Sequence, residues 1–250
     1  MATKSRLPAG ASWGPTAAGQ TAHAPMRTLA DDAVRQIYNA IVGGAHRPGE
    51  KLKVEQLAQQ YGLGTSPIRE ALLRLSAEGL VLFEGQRGFR VPPVSLGELN
   101  DIADVRCRLS DMALRLAIAR GDDDWEADIV GCFHRLELIA QPMASDPERY
   151  LEQWEQRNRD FHFALEEGCA SPWLLHFSNV AYSQSERYRR LYVHYPVLLP
   201  KAQEEHEAIM RAALARDTDR ASSLLIAHIR DNVAIVARAM SERAETERAP

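Results

Sequence analysis

Residues 54–91 read VEQLAQQYGLGTSPIREALLRLSAEGLVLFEGQRGFRV, and the first half of this segment predicts two short amphipathic helices. Apolar residues at helical spacing over Val54–Tyr61 share one face. Gly62 ends that helix, because glycine adopts the left-handed conformation that a helix end often needs. The second helix is predicted over Ser66–Glu78, with its first residue as the N-cap and a proline at its first helical position.

A compact hairpin is predicted after the second helix. Leu80–Phe83 and Phe89–Val91 have the composition of short strands, and the turn Gly85–Gly88 lies between them. Helix, turn, helix and hairpin in this order predict a winged helix-turn-helix. In such a fold the second helix enters the major groove of DNA.

The same segment resembles a known family of proteins. LAQQYGLGTSPIREALLRLSAEGLV, preceded by RPGEKL and followed by QRGFRV, is similar to the DNA-binding domain of GntR-family transcription regulators. The family commonly has Ser-Arg-Thr before the proline, whereas this chain has Gly64, Thr65 and Ser66. Because the arginine of that motif is absent, we predict that Thr65 contacts a thymine methyl group or a phosphate instead.

The predicted DNA contacts lie at the start of the second helix and at the tip of the hairpin. Arg69 is the main candidate for a base or phosphate contact, and the alternative is a surface pair with Glu70 or Glu55. Arg87 is predicted to enter the minor groove or to bind phosphate. The predicted set is Thr65, Ser66, Pro67, Arg69, Arg74, Gln86, Arg87 and Gly88.

Charge is distributed unevenly along the chain. The 250 residues carry a net charge of −4. Residues 26–94 hold nine Lys/Arg and seven Asp/Glu, and the first 25 residues add +2, so residues 95–250 carry −8. A basic front and an acidic back suit a DNA-binding module joined to a domain that does not itself bind DNA.

Neither a membrane span nor a secretion signal is expected. No apolar run approaches the length of a membrane helix, and the N-terminus lacks the apolar core of a signal peptide. Cys107, Cys132 and Cys169 show no zinc or disulfide spacing, which favours reduced thiols in a cytoplasmic protein. Residues 1–25 are rich in Ala, Gly, Pro and Thr and are predicted to form a disordered tail.

Everything after Pro92-Pro93 is predicted to be helical. Ser95-Leu-Gly-Glu98 has the pattern of a capping box, and later glycines and prolines divide the rest into about six helices. Ser145 is predicted to open the third of them, and Pro200 to precede the fifth. The chain is thus predicted to be mainly α. The expected parts are a tail (1–25), a winged helix-turn-helix (26–94), an all-helical effector-binding and dimerisation domain (95–242) and a flexible C-terminal tail (243–250).

Three histidines of the helical part are candidates for a shared metal site. His162, His206 and His228 lie on three different predicted helices in apolar surroundings, and Asn158 shares a face with His162. Helical bundles build metal sites from such groups on facing helices, although unrelated core or surface histidines have the same pattern.

The segments NRDFH, EEHEAI and LIAHI resemble the FadR-type ligand-binding (FCD) domain of the same regulator family. The resemblance implies one divalent ion, Zn²⁺, Ni²⁺ or Mn²⁺, on Asn158, His162, His206 and His228. Asn158 stands where an aspartate is common, and a neutral amide oxygen is a weaker ligand than a carboxylate.

The resemblance also assigns a role to Arg106, in the segment DVRCRLSDM. An arginine at this place in FadR-type domains often meets an acidic ligand, so Arg106 is predicted to bind an effector carboxylate. The alternative is a pair with Asp101, Asp104 or another acid on the surface. Arg108 points about 200° around the helix and cannot face the same pocket.

The sequence therefore predicts a ligand-responsive transcription regulator, a repressor, that binds operator DNA as a homodimer and responds to a small organic acid. No HExxH motif, nucleophile–base pair or Gly-rich phosphate loop is present, so no enzyme activity is expected. Two alternatives are a metal-dependent hydrolase of a small carboxylate and a ligand-independent structural DNA-binding protein. Turnover of a carboxylate would indicate the first, and a helical part without any cavity would indicate the second.

Overall fold

The computed structural model describes residues 28–192 and 195–246, and it confirms a mainly α protein in which a helical domain follows a winged helix-turn-helix. The tail predicted over residues 1–25 lies outside the described residues, as do residues 247–250 of the predicted C-terminal tail. Within the described ranges, no helix is long and apolar enough to cross a membrane.

The N-terminal domain combines three helices with a small antiparallel sheet. Its elements are α1 (Leu29–Val42), β1 (Lys51–Leu52), α2 (Val54–Tyr61), α3 (Thr65–Ala77), β2 (Leu82–Phe83) and β3 (Phe89–Arg90). In the sheet β3 lies between β1 and β2. The prediction omitted β1, because a strand of two residues shows no alternation in the sequence. It also began β2 too early, since Leu80 and Val81 enter the core before the strand starts.

The turn between α2 and α3 agrees with the prediction at its first end and differs at its second. Gly62 has a φ of 65°, the left-handed conformation expected after α2. However, α3 begins at Thr65 with Gly64 as the N-cap residue, so the prediction that Ser66 caps the helix is wrong. The hydroxyl groups of Thr65 and Ser66 are consequently not engaged in capping, and both residues are exposed.

Six helices of the described chain form the second domain, as predicted. They are α4 (Leu96–Arg120), α5 (Asp123–Ser145), α6 (Pro147–Glu167), α7 (Pro172–Tyr192), α8 (Tyr195–Leu214) and α9 (Thr218–Thr246). Asp146, and not Ser145, caps α6 by accepting a hydrogen bond from the backbone N–H of Arg149. Pro200 lies inside α8 instead of preceding it. Helix α9 continues to Thr246, so residues 243–246 are helical.

Helix α7 belongs to both halves of the molecule. Each half has its own apolar core. On one side α7 packs against α4 and α9 of the helical domain, and on the other it packs against α1 of the N-terminal domain. A change in the position of α7 would therefore alter its contacts with α1 of the N-terminal domain.

Candidate functional site

His162, His206 and His228 come together inside the helical domain, on α6, α8 and α9. None of the three is more than 5% exposed. The ring centres of His206 and His228 are 4.7 Å apart, and that of His162 is 5.2 Å from each of them. One nitrogen of each ring lies within 4.8 Å of the other two. Nitrogens bound to one divalent ion are about 3 to 4 Å apart, so small ring rotations suffice to bring these to ligand positions.

Burial favours the neutral form of the three imidazoles. It lowers the pKa of His162 and of His206 well below the ordinary value, and neighbouring histidines lower both pKa values further. Burial also lowers the pKa of His228, although a hydrogen bond to Glu205 acts in the opposite direction. Neutral imidazole is the form that binds a metal, so the cluster needs no proton release to do so.

Two buried groups of the cluster lack the hydrogen bonds that buried polar atoms normally make. Both ring nitrogens of His206 are without a hydrogen-bond partner among the described residues, and so is Oδ1 of Asn158. The amide nitrogen of Asn158 donates to the Tyr182 hydroxyl at 2.9 Å. The lone pairs of Oδ1 of Asn158 are therefore available to a metal ion. A bound cation explains such orphaned atoms, so these residues fit a divalent ion.

Glu205 orients one of the candidate ligands, and the sequence analysis did not identify it. Its carboxylate lies 2.6 Å from Nδ1 of His228, which fixes the proton on that nitrogen and leaves Nε2 as the electron-pair donor. Nε2 accepts a 3.2 Å contact from Asn232, which a metal ion would replace. A carboxylate behind a ligating histidine is the usual support of a metal site.

Arg106 points into the domain and not to its surface. It is 3% exposed, its guanidinium donates to Ser185 at 3.0 Å, and it lies 4.6 Å above the centre of the Tyr182 ring. The surface alternative is wrong, because Arg106 makes no ion pair with a carboxylate of the described chain and Asp104 pairs with Arg230. Burial lowers the pKa of Arg106, and the opposing effects of Tyr182 and Glu166 do not offset it.

A small cavity adjoins the cluster. It has a volume of about 10 Å³, enough for about one water molecule. The lining residues are Ser110, His162, Phe163, Glu166, Ser178 and Tyr182. The space beside the cluster is thus closed, and any organic acid that enters it must displace part of the lining.

A polar network joins this region to the N-terminal domain. Arg159, which follows Asn158 in α6, lies 4.8 Å above the Tyr182 ring and pairs with Glu186 at 2.5 Å. Tyr38 of α1 contacts both members of that pair, donating to Glu186 at 3.1 Å.

Two further contacts of α7 reach the same half of the molecule. Gln184 donates to the carbonyl oxygen of Glu78 at 2.8 Å, and Arg187 donates to that of Pro92 at 3.1 Å. One face of α7 therefore contacts the histidine cluster region, and another contacts the N-terminal domain just after α3 and at Pro92.

The structure leaves the start of α3 open for contact with DNA. Thr65, Ser66 and Arg69 are exposed, and Arg69 makes no ion pair with Glu70 or Glu55 within the described chain. Pro67 is half-buried in the first turn.

Arg74 forms ion pairs within the domain, whereas the wing tip is exposed. Arg74 is engaged with Asp31 of α1, at 2.8 Å, and with Glu70. The wing tip, residues 85–88, exposes Gln86 and Arg87, and Gly88 has a φ of 85° that a residue with a Cβ rarely adopts. The DNA contacts predicted for all of these residues remain predictions.

Comparison with known proteins agrees with both halves of the chain. Residues 29–91 match the model of bacterial regulatory proteins of the gntR family, and residues 101–231 match the FCD domain. The HTH-type transcriptional repressor GlaR of Escherichia coli is 39% identical over 214 residues, which are 84% of this chain and 96% of GlaR. The uncharacterised HTH-type transcriptional regulator BphR of Paraburkholderia xenovorans is 39% identical over 85% of this chain and 87% of its own. The solved structure of E. coli McbR/YncC is similar in fold, with a TM-score of 0.71 at 24% identity over 85% of this chain and 99% of that one.

Elemental analysis tests the histidine cluster. We expect about one divalent ion per chain in the wild-type protein, and loss of that ion in His206→Ala and in His228→Ala. Glu205→Gln should lower metal affinity about 10- to 100-fold, because the support of His228 is lost. The control is His134→Ala, which removes an exposed histidine of α5. Retention of the ion by both cluster variants would contradict the assignment.

Proposed function

The chain belongs to the gntR family of bacterial regulatory proteins and carries an FCD domain, and from this premise we propose that it is a repressor whose operator binding responds to a small organic acid. The acid is bound in the helical domain, beside a divalent ion. The matched families and relatives are transcriptional regulators and not enzymes. The relative GlaR is named a transcriptional repressor, which supports repression over activation in this proposal.

One observation carries the proposal: Arg106 is a buried cation without a carboxylate partner. Two other arginines surround the same Tyr182 ring, and each of them pairs with a buried glutamate. Within the part of the chain that the structure describes, Arg106 contacts the hydroxyl of Ser185 and the face of Tyr182 and forms no ion pair. An uncompensated buried charge is costly, and a carboxylate bound bidentately by the guanidinium would compensate it.

The residues of the cluster supply the rest of the acid site. A divalent ion bound there would add positive charge and open positions for carboxylate oxygens. Asn158 and the three histidines would hold it, and Glu205 would keep His228 in the correct orientation. Their apolar surroundings exclude water, which strengthens the attraction between Arg106 and the acid.

Helix α7 provides the physical link to DNA binding. The cavity is too small for an organic acid, so binding must move its walls, and two lining residues, Ser178 and Tyr182, lie on α7. The same helix holds the DNA-binding half through Gln184, Glu186 and Arg187. The acid therefore stabilises a second arrangement of the two domains. The size of the shift is set by the difference between its affinities for the two arrangements.

In a homodimer this rearrangement changes the separation of the two α3 helices. A dimer reads two half-sites about one turn of DNA apart, so an altered separation weakens operator binding. The α4 helix offers a surface for self-association, because Val105 and Met112 are 44% and 54% exposed and lie on one face with the half-buried Leu109.

The DNA-binding role is tested by titrating operator fragments that the purified protein retains. Arg69→Ala should weaken operator binding by about 1–3 kcal/mol, because a good base contact is lost. Arg87→Ala should weaken binding to operator and random DNA alike and reduce the salt dependence, since a phosphate contact carries no sequence information. Arg211→Ala, on α8 far along the chain, is the control. Full operator affinity of Arg69→Ala would exclude its base contact.

Analytical ultracentrifugation tests the dimer. We expect a mass about twice the 27.9 kDa of one chain. Val105→Asp combined with Met112→Asp should shift the protein towards monomer and weaken operator binding, because charges are placed in an apolar interface. Leu138→Asp on α5, where the leucine is 63% exposed, is the matched control. A wild-type monomer that binds its operator tightly would contradict the dimer.

The response to acids is tested with acetate, propionate, lactate, malonate and succinate in operator-binding titrations. At least one should weaken operator binding by the metal-loaded wild-type protein. Arg106→Ala should keep the metal and the affinity for the operator but lose this response, because the acid loses its guanidinium partner.

Tyr38→Phe separates acid binding from its transmission. The substitution removes only the hydroxyl that contacts Arg159 and Glu186, so calorimetry should show acid binding unchanged while the effect on the operator falls. Metal-free wild-type protein that still responds fully would remove the metal from the proposal. An Arg106→Ala variant that responds fully would remove Arg106.

A further inference from the structure

A second polar layer lies one helical turn from Arg106, and the metal site does not use it. Ser110 follows Arg106 by four residues on α4, and Glu166 follows His162 by four residues on α6. Ser178 precedes Tyr182 by four residues on α7. All three line the small cavity. Since residues four apart lie on one helix face, Arg106 and Tyr182 form one polar level, and the cavity-lining Ser110, Glu166 and Ser178 form a second level about 6 Å along the helices.

Glu166 is the unusual member of this layer. It is 6% exposed and makes no ion pair with any side chain that the structure describes. Burial raises the pKa of Glu166, against the opposing effects of the Ser110 and Ser178 hydroxyls and of the Arg106 charge. The Ser178 hydroxyl is itself buried without a hydrogen-bond partner in the described chain. The Glu166 carboxyl and the Ser178 hydroxyl can therefore accept hydrogen bonds that the described chain does not supply.

Arg106 and Glu166 have opposite charges and border the same region, yet they do not pair with each other. Both side chains are buried, and neither forms an ion pair within the described chain. A ligand that inserts between the two levels must offer an anion to Arg106 and a hydrogen-bond donor to Glu166. A plain alkyl carboxylate meets only the first of these requirements.

We propose that the effector is a short carboxylic acid that also bears a hydroxyl or ammonium group, and that Glu166 selects it by accepting a hydrogen bond from that group. This inference rests on the proposed function, since it assigns the far end of the acid that Arg106 binds. Ser110 and Ser178 line the same cavity and would supply further polar contacts to the same group. Glu166 is thus a specificity-determining residue of the site.

Matched acids of equal chain length test the inference. Calorimetry on the metal-loaded, full-length protein would compare propionate with lactate and 3-hydroxypropionate, and with alanine and β-alanine. At least one donor-bearing acid should bind tenfold or more tightly than propionate, because a hydrogen bond to a buried carboxylate is strong. The hydroxy acids and the amino acids show whether the hydrogen-bond donor to Glu166 is neutral or charged. Malonate tests whether a second carboxylate serves instead.

Two substitutions of Glu166 identify the acceptor. Glu166→Leu should bring the donor-bearing acids to within about twofold of propionate, while the binding of propionate changes little. Glu166→Gln keeps an acceptor oxygen without the charge, so it should retain part of a hydroxyl preference and lose an ammonium preference. The exposed neighbour gives the matched control, Glu167→Leu, which should behave as wild type.

Thermal unfolding of the acid-free proteins shows whether the variants fold. Glu166→Leu should be at least as stable as wild type, because an unpaired buried carboxylate is removed. Equal affinities for propionate and all donor-bearing acids, or a preference unchanged in both Glu166 variants, would overturn the inference and leave the proposed function intact. Tighter binding of malonate than of every donor-bearing acid would also overturn it. Absence of binding by any acid would overturn both.

Discussion

The burial of guanidinium groups around one tyrosine ring is the constraint on which the helical domain depends. Arg106, Arg159 and Arg189 lie 4.6, 4.8 and 5.7 Å from the centre of the Tyr182 ring. The ring face attracts cations, but it does not replace the water that each of them loses on burial. Arg159 and Arg189 offset this loss by forming ion pairs with buried glutamates on α7 and α6. The third forms no ion pair within the described chain, and the proposed acid site rests on this difference.

The same packing explains why the site is connected to the DNA-binding half. Tyr182 lies on α7, and its hydroxyl accepts a hydrogen bond from Asn158, the candidate metal ligand on α6. The glutamate that neutralises Arg159 also accepts from Tyr38 of α1. A polar group cannot change partners inside a close-packed domain without moving its neighbours, because an unpaired buried group is costly. In the proposed function, a rearrangement at Arg106 would therefore be passed along α7.

Stability and function oppose each other in this domain. Both nitrogens of His206, the oxygen of Asn158 and the hydroxyl of Ser178 lack partners in the described chain. Each is a departure from the rule that buried polar groups are hydrogen-bonded, and such departures concentrate where proteins bind something. Here Ser178 lines the small cavity, and His206 and Asn158 belong to the adjoining histidine cluster, so ligands that satisfy these atoms would stabilise the domain.

What the sequence determined by itself was local. The two helices and wing of the N-terminal domain and the six helices after them follow from spacing along the chain, which fixes helix faces and ends. The four metal candidates also required the resemblance to the FCD domain. The errors at Ser66 and Pro200 arose because tertiary packing sets where a helix finally begins. The tertiary structure alone decided which polar residues face each other across helices. Glu205 supports His228 from another helix, so no periodicity within α8 could reveal it. Glu166 follows His162 by one turn, but only the assembled bundle buries it while its neighbour Glu167 stays exposed, since adjacent helical residues point about 100° apart.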